Sequence, residues 1–184
     1  MFHTMTIAGL ERHLPICRVT DELYIAGFVI FGDPELTVAC ARDLLKLAPE
    51  YDYIITAEAK GIPLAHEMAR QAGNEKYILA RKGPKLYMRD IFGVDVKSIT
   101  TAKEQHLYLD GADAELMKGK KILIVDDVIS TGESLSALEA LVEKAGGIVC
   151  GRMAILAEGD AQSRDDLSYL EKLPLFHSDG SVMA

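Results

Sequence analysis

The sequence predicts an α/β domain, a mainly parallel sheet flanked by helices, and three observations carry that prediction. Short apolar runs such as 122–125 (Ile-Leu-Ile-Val) do not alternate with polar residues, as strands covered on both faces require. Between them lie stretches with helical spacing, among them Leu36, Cys40, Leu44 and Leu47. The two patterns take turns along the chain, which is the order of a parallel sheet with crossover helices.

With 184 residues, the chain suits one core with a modest extension. Hydrophobic residues make up 49% and charged residues 26%, a globular composition with no apolar run of membrane-spanning length. The start has neither the basic flank nor the apolar run of a secretory leader, so a cytoplasmic protein is expected. Cys17, Cys40 and Cys150 are odd in number and widely spaced, which argues against a disulfide framework or a CxxC metal site. The five histidines show no ligand spacing with one another. A net charge of −8 disfavours a general nucleic-acid surface, so any anionic ligand must be held locally by backbone amides and a few placed cations.

After an irregular start over residues 1–33, Asp33-Pro34 reads as an N-cap with proline in the first turn of a helix over 34–48. Residues 53–56 form a buried strand that runs into Ala57-Glu-Ala-Lys-Gly61, and a helix opens at Pro63. Residues 77–80 supply another strand, 82–95 a mobile loop, and 96–101 with 106–109 a hairpin. The central strand at 122–125 leads to a helix marked by Leu135, Leu138, Val142 and Ala145 and stopped by Gly146-Gly147. A last strand follows over 148–156. The expected layout is an N-terminal extension over about 1–33, a core over about 34–157 and a C-terminal extension over about 158–184.

In such sheets ligands bind beyond the carboxyl ends of the strands, where loops enter helix N-termini. Asp126-Asp127 and the loop Ser130, Thr131, Gly132, Glu133 and Ser134 fall there. Gly132 allows close approach of an anion, the hydroxyls can donate, and the helix offers free amides. The loop is a phosphate cradle without the spacing or lysine of a Walker A motif. Two carboxylates beside a phosphate repel it unless they face neutral hydroxyls or a cation, and ribose hydroxyls meet that need. The competing reading is an acidic cluster of the receiver-domain kind with Ser-Thr-Gly as an ordinary cap.

The run 122–134, Ile-Leu-Ile-Val-Asp-Asp-Val-Ile-Ser-Thr-Gly-Glu-Ser, resembles the signature of type I phosphoribosyltransferases. The resemblance implies a Rossmann-like parallel sheet with a flexible lid hairpin and a small N-terminal hood. It also implies that Asp126 and Asp127 hold the ribose hydroxyls of phosphoribosyl pyrophosphate, and that Ser130 to Ser134 hold the ribose phosphate. Glu58, Ala59, Lys60 and Gly61 are similar to the pyrophosphate loop of adenine enzymes, with lysine in place of arginine and hence without the bidentate fork. Arg81-Lys-Gly-Pro-Lys85 is similar to an Arg-Lys-Pro-Gly-Lys run of the same enzymes. By this resemblance Lys60, Arg81, Lys82 and Lys85 stabilise departing pyrophosphate, and a lid from Gly83 to about Lys103 excludes water. Magnesium is expected as the cofactor, carried mainly by substrate oxygens with no direct protein site, and a homodimer is the expected assembly.

The acceptor implied first is adenine, giving AMP, with xanthine or another purine-like base as the alternative. Hypoxanthine and guanine enzymes carry an Asp where this chain has Ser130, and xanthine enzymes a Glu-Lys pair where it has Glu158-Gly159. Phe28, Val29 and Phe31, with Glu158, are the candidates for contact with the base; Phe28 and Phe31 equally suit a core. No counterpart of the adenine enzymes' lid Glu-Tyr pair is present, which leaves Glu104 as the candidate acid or base. A regulator of this fold that binds phosphoribosyl pyrophosphate without catalysis is the other class, although the residues before the first helix are too few and too little basic for a DNA-gripping module.

Overall fold

The structure is a computed structural model that describes residues 1–97 and 104–183. The centre is a five-stranded parallel sheet of β4 (Tyr53–Ala57), β5 (Ile78–Ala80), β8 (Lys121–Ile129), β9 (Ile148–Glu158) and β10 (Ser168–Leu173), in the order β10-β9-β8-β4-β5. Helices α1 (Pro34–Leu47) and α2 (Ile62–Ala72) cover one face, and α3 (Gly111–Met117) and α4 (Glu133–Lys144) the other. The non-alternating run of β8 follows from this: Leu123 and Val125 pack on the α1/α2 side, Ile122 and Ile124 on the α3/α4 side, and all four are fully buried. No described helix is long and apolar enough to cross a membrane.

The stretch read as irregular is a small antiparallel sheet. Strands β1 (Phe2–Ile7) and β2 (Leu10–Arg18) form a hairpin, β3 (Tyr24–Ala26) pairs with β2, and β11 (Leu175–Phe176), from the C-terminal segment, closes the edge. Long-range pairing with residues 150 positions away leaves no local signal, and β1 and β2 alternate polar with modestly apolar residues because one face stays in solvent. The inner face delivers Ile7, Leu14, Ala26 and Phe176 to the same core as α1 and α2.

Other differences have local causes. Leu47 is exposed because α1 ends there, at the rim of the sheet. The hairpin begins earlier than expected: β6 (Phe92–Lys97) pairs with β7 (Glu104–Leu109), so residues 92–95 belong to a strand, while 98–101 lie outside the described residues. Helix α3 has only seven residues and buries little besides Ala114 and Met117, so its periodicity is too short to read, although Asp110 caps it by accepting from Ala112 N. The acidic pair lies inside β8, which runs four residues past Val125.

The hood is tied to the core by charge. Arg12 of β2 donates from Nε to Asp33 Oδ2 at 2.7 Å and from Nη2 to Asp33 Oδ1 at 3.1 Å, while Asp33 Oδ1 also accepts from Leu36 N and caps α1. The Arg12 hydrogen bond outweighs burial and holds the Asp33 carboxyl below its usual range. A depressed carboxylate contributes stability above its unfolded pKa that is lost as pH falls. Asp33→Ala is therefore expected to cost about 1–2 kcal/mol near neutral pH, as loss of a cap does. The difference should shrink below about pH 4, and urea unfolding of both proteins at several pH values checks it.

Candidate functional site

A cleft of about 600 Å³ opens where β4 and β8 end. Ala57 to Lys60 form one wall, Asp126, Asp127 and Val128 the floor, and Ser134 at the start of α4 one end. Lys82 and three residues of β7, Gln105, His106 and Leu107, close the opposite side. The β7 residues carry no motif; they reach the cleft because Arg81 and Tyr108 exchange backbone hydrogen bonds of 2.9 and 2.8 Å, which fix the hairpin to the end of β5. His106 Nδ1 lies 2.6 Å from Asp95 Oδ1 across the hairpin.

The floor concentrates negative charge. Asp127 is buried at 3% exposure, and its Oδ2 has no hydrogen-bond donor among the described residues. Lys60 Nζ stands 3.1 Å from that oxygen, an ion pair whose angles do not make a hydrogen bond. Asp126, half-buried, accepts from Asp127 N at 2.8 Å. Burial, and then the neighbouring Asp127 charge, push the Asp126 carboxyl up to about 7. Glu158, at the end of β9, is raised by burial against the opposing pull of Lys60.

The loop after β4 is held from beneath. A Cβ on Gly61 would lie 2.2 Å from Thr56 Oγ1 and 3.0 Å from Asp126 Oδ1, so only glycine lets the loop lie against the acidic floor. The Glu58–Ala59 peptide is cis. Glu58 accepts from Arg81 Nε at 2.7 Å and from Lys82 N at 2.6 Å. Burial raises its carboxyl, but these two bonds hold it below the usual range.

Of the cations expected around pyrophosphate, Lys60 and Lys82 line the cleft. Arg81 is turned to Glu58 and to Tyr87, whose hydroxyl accepts from Nη1 at 2.7 Å. Lys85 is partly exposed in the loop that follows. In the phosphate loop, Thr131 and Ser134 are exposed, Ser130 and Glu133 partly covered, and Gly132 takes φ +78° at the N-cap of α4. Phe28 packs in the core with Ile30, and Val29 and Phe31 face solvent; none of them lines the cleft. Glu104 begins β7, but its side chain lies outside the described residues. Among the described residues no three His, Cys, Asp or Glu side chains converge to hold a metal, so the nearest donor set is the two carboxylates of the floor.

Residues 39–174 match the Phosphoribosyl transferase domain family. The chain belongs to that family. Among its relatives, a hypoxanthine/guanine phosphoribosyltransferase of Methanothermococcus okinawensis is 34% identical over 156 residues, covering 82% of this chain and 81% of the relative. One of Methanococcus voltae, with the same name, is 31% identical over 138 residues, 75% of this chain and 70% of the relative. The crystal structure of an adenine phosphoribosyltransferase from Thermoanaerobacter pseudethanolicus superposes with a TM-score of 0.65 at 22% identity, covering 78% of this chain and 84% of that one. An adenine phosphoribosyltransferase from Rhodothermus marinus gives 0.63 at 19% identity over 94% of both chains. The parallel sheet with its flanking helices is thus the fold of this family.

Because the folded-state pKa of Asp126 is raised, the folded protein holds a proton that the unfolded chain releases, and stability falls as pH rises between about 4 and about 7. Asp126→Asn is expected to raise the melting temperature relative to the parent more at pH 8 than at pH 5. An equal difference at both values would contradict the crowded floor. Gly61→Ala is expected to lower affinity for a phosphoribosyl ligand by at least about tenfold through displacement of the loop, as read by calorimetry.

Proposed function

We propose that this phosphoribosyltransferase moves the 5-phosphoribosyl group from phosphoribosyl pyrophosphate to a nitrogen of a purine base, releasing pyrophosphate, in purine salvage. The observation that carries this reading is the carboxylate pair at the cleft floor, Asp127 buried and Asp126 half-buried, flanked by Lys60 on one side and by the phosphate loop at the head of α4 on the other. Vicinal ribose hydroxyls supply the donors that Asp127 Oδ2 lacks, and the loop's amides and hydroxyls take the ribose phosphate.

As the bond from the sugar's anomeric carbon to pyrophosphate breaks, the electron pair leaves with pyrophosphate and positive charge grows on the ribose. Lys60 and Lys82 face the negative charge that departs, and the carboxylates lie beneath the sugar. Magnesium fits a floor that offers two carboxylates and, among the described residues, no cluster of three metal-ligating side chains, since this ion keeps most of its shell for water and substrate oxygens. Asp126 and Asp127 would face it through the ribose side, and the ion would neutralise phosphate charge when bound. The base nitrogen bonds to the anomeric carbon and its proton passes to a carboxylate, a role we assign to Glu158 at the end of β9.

Two acceptors compete. The names of the archaeal relatives, a third identical over most of their length, favour hypoxanthine or guanine. Adenine, giving AMP, is favoured by the likeness of Glu58–Gly61 and Arg81–Lys85 to adenine enzymes. We place the 6-oxopurines first, because relatedness over more than a hundred residues outweighs two short loops and the single difference at Ser130. The test incubates the protein with magnesium, phosphoribosyl pyrophosphate and each purine, and reads nucleotide monophosphate. Turnover of hypoxanthine or guanine is expected; turnover of adenine alone reverses the order, and turnover of no base while the ligand binds would favour a regulator. Replacing Asp126 and Asp127 together with Asn is expected to cut turnover by at least about a hundredfold, in line with the loss of groups that hold the reacting sugar.

A further inference from the structure

We propose that Arg164, from the turn after β9, is the side-chain cation that binds the ribose phosphate over the loop at Gly132; this rests on the function proposed above. From Val128 to Ser134 the chain carries no lysine or arginine, and Glu133 adds a negative charge at the first turn of α4. A doubly charged phosphate there meets amides and hydroxyls but no cation from its own loop. Arg164 supplies one from 30 residues further along. A Cβ built on Gly132 would stand 3.1 Å from Arg164 Nη1, so the guanidinium already rests against the left-handed glycine of the loop.

The orientation is fixed by the rest of the fork. Nε and Nη2 of Arg164 donate to Asp166 Oδ1 and Oδ2, both at 2.8 Å, which turns the third nitrogen, Nη1, toward Gly132. Asp166 is itself steadied by Arg152 of β9, 3.5 Å away, which pairs with Glu139 on α4. The chain of charges Glu139, Arg152, Asp166 and Arg164 therefore links the body of α4 to the guanidinium at its head. Lysine could not make the two-oxygen contact with Asp166 and still present a nitrogen to the loop in a set direction. The 3-10 turn Gly159–Ser163 places Arg164 here, and the bare Gly132 leaves room for it: a Cβ at 132 would make the guanidinium give by a few tenths of an ångström.

The assignment separates ligands that carry the ribose phosphate from one that does not. Calorimetric titration of the parent protein, Arg164→Gln and Arg164→Lys with ribose 5-phosphate, phosphoribosyl pyrophosphate and magnesium pyrophosphate reads the difference. For Arg164→Gln, affinity for the first two is expected to drop about tenfold or more, the usual scale of a charge-assisted hydrogen bond, while pyrophosphate changes by less than about twofold. Arg164→Lys should recover part of the loss. Unchanged binding of ribose 5-phosphate in Arg164→Gln overturns the assignment, and so does an equal loss for pyrophosphate, which marks a structural role. If the parent protein binds neither sugar phosphate, the proposed function falls and the role of Arg164 falls with it.

Discussion

The packing of two carboxylates at the end of the central strand is the constraint around which this molecule is arranged. Asp127 is buried and Asp126 half-buried, Lys60 stands within ion-pair distance, and Asp127 Oδ2 has no hydrogen-bond donor among the described residues. Such a floor is costly in the free protein, because burial and like charge both oppose ionisation. The surrounding structure keeps it in place. Gly61 lets the loop after β4 lie against it, Lys60 offsets part of its charge, and β8, with apolar packing on both faces, does not yield. In the proposed reading, sugar hydroxyls offset this cost by donating to the floor.

Much of this was legible in the residues. Leu123 and Val125 alternate faces with Ile122 and Ile124, and an unbroken apolar run is what a doubly covered strand requires. Asp33 with Pro34 marked the start of α1 because a side chain that accepts from Leu36 N is needed there. The acidic pair and Gly132 stood out because their chemistry is local, a few consecutive residues at a strand end. The strands of the hood did not, since β11 joins β3 from the far end of the chain and neither strand signals the other. Gln105, His106 and Leu107 reach the cleft through the pairing of Tyr108 with Arg81, which no spacing encodes. Nor does charge alone show direction: Arg81 sits in a run of cations and spends its fork on Glu58 and Tyr87.

The two ends of the chain meet in one antiparallel sheet, which packs on the α1/α2 side of the core. The N-terminal strands are held to α1 by Arg12 and Asp33, and the C-terminal segment returns through β10 and β11 to complete their sheet. Between these two passes lies the turn that carries Arg164 to the phosphate loop. The C-terminal stretch that closes the hood through β11 thus also brings Arg164 beside Gly132 at the head of α4.

The central claim is that the carboxylate floor recognises vicinal sugar hydroxyls, and removing one hydroxyl tests it most directly. Calorimetry should compare ribose 5-phosphate with 2-deoxyribose 5-phosphate, which share the phosphate and differ at the floor. The deoxy sugar is expected to bind about tenfold or more weakly, as loss of a hydrogen bond to a charged group implies. Equal affinity for the two sugars would contradict the account.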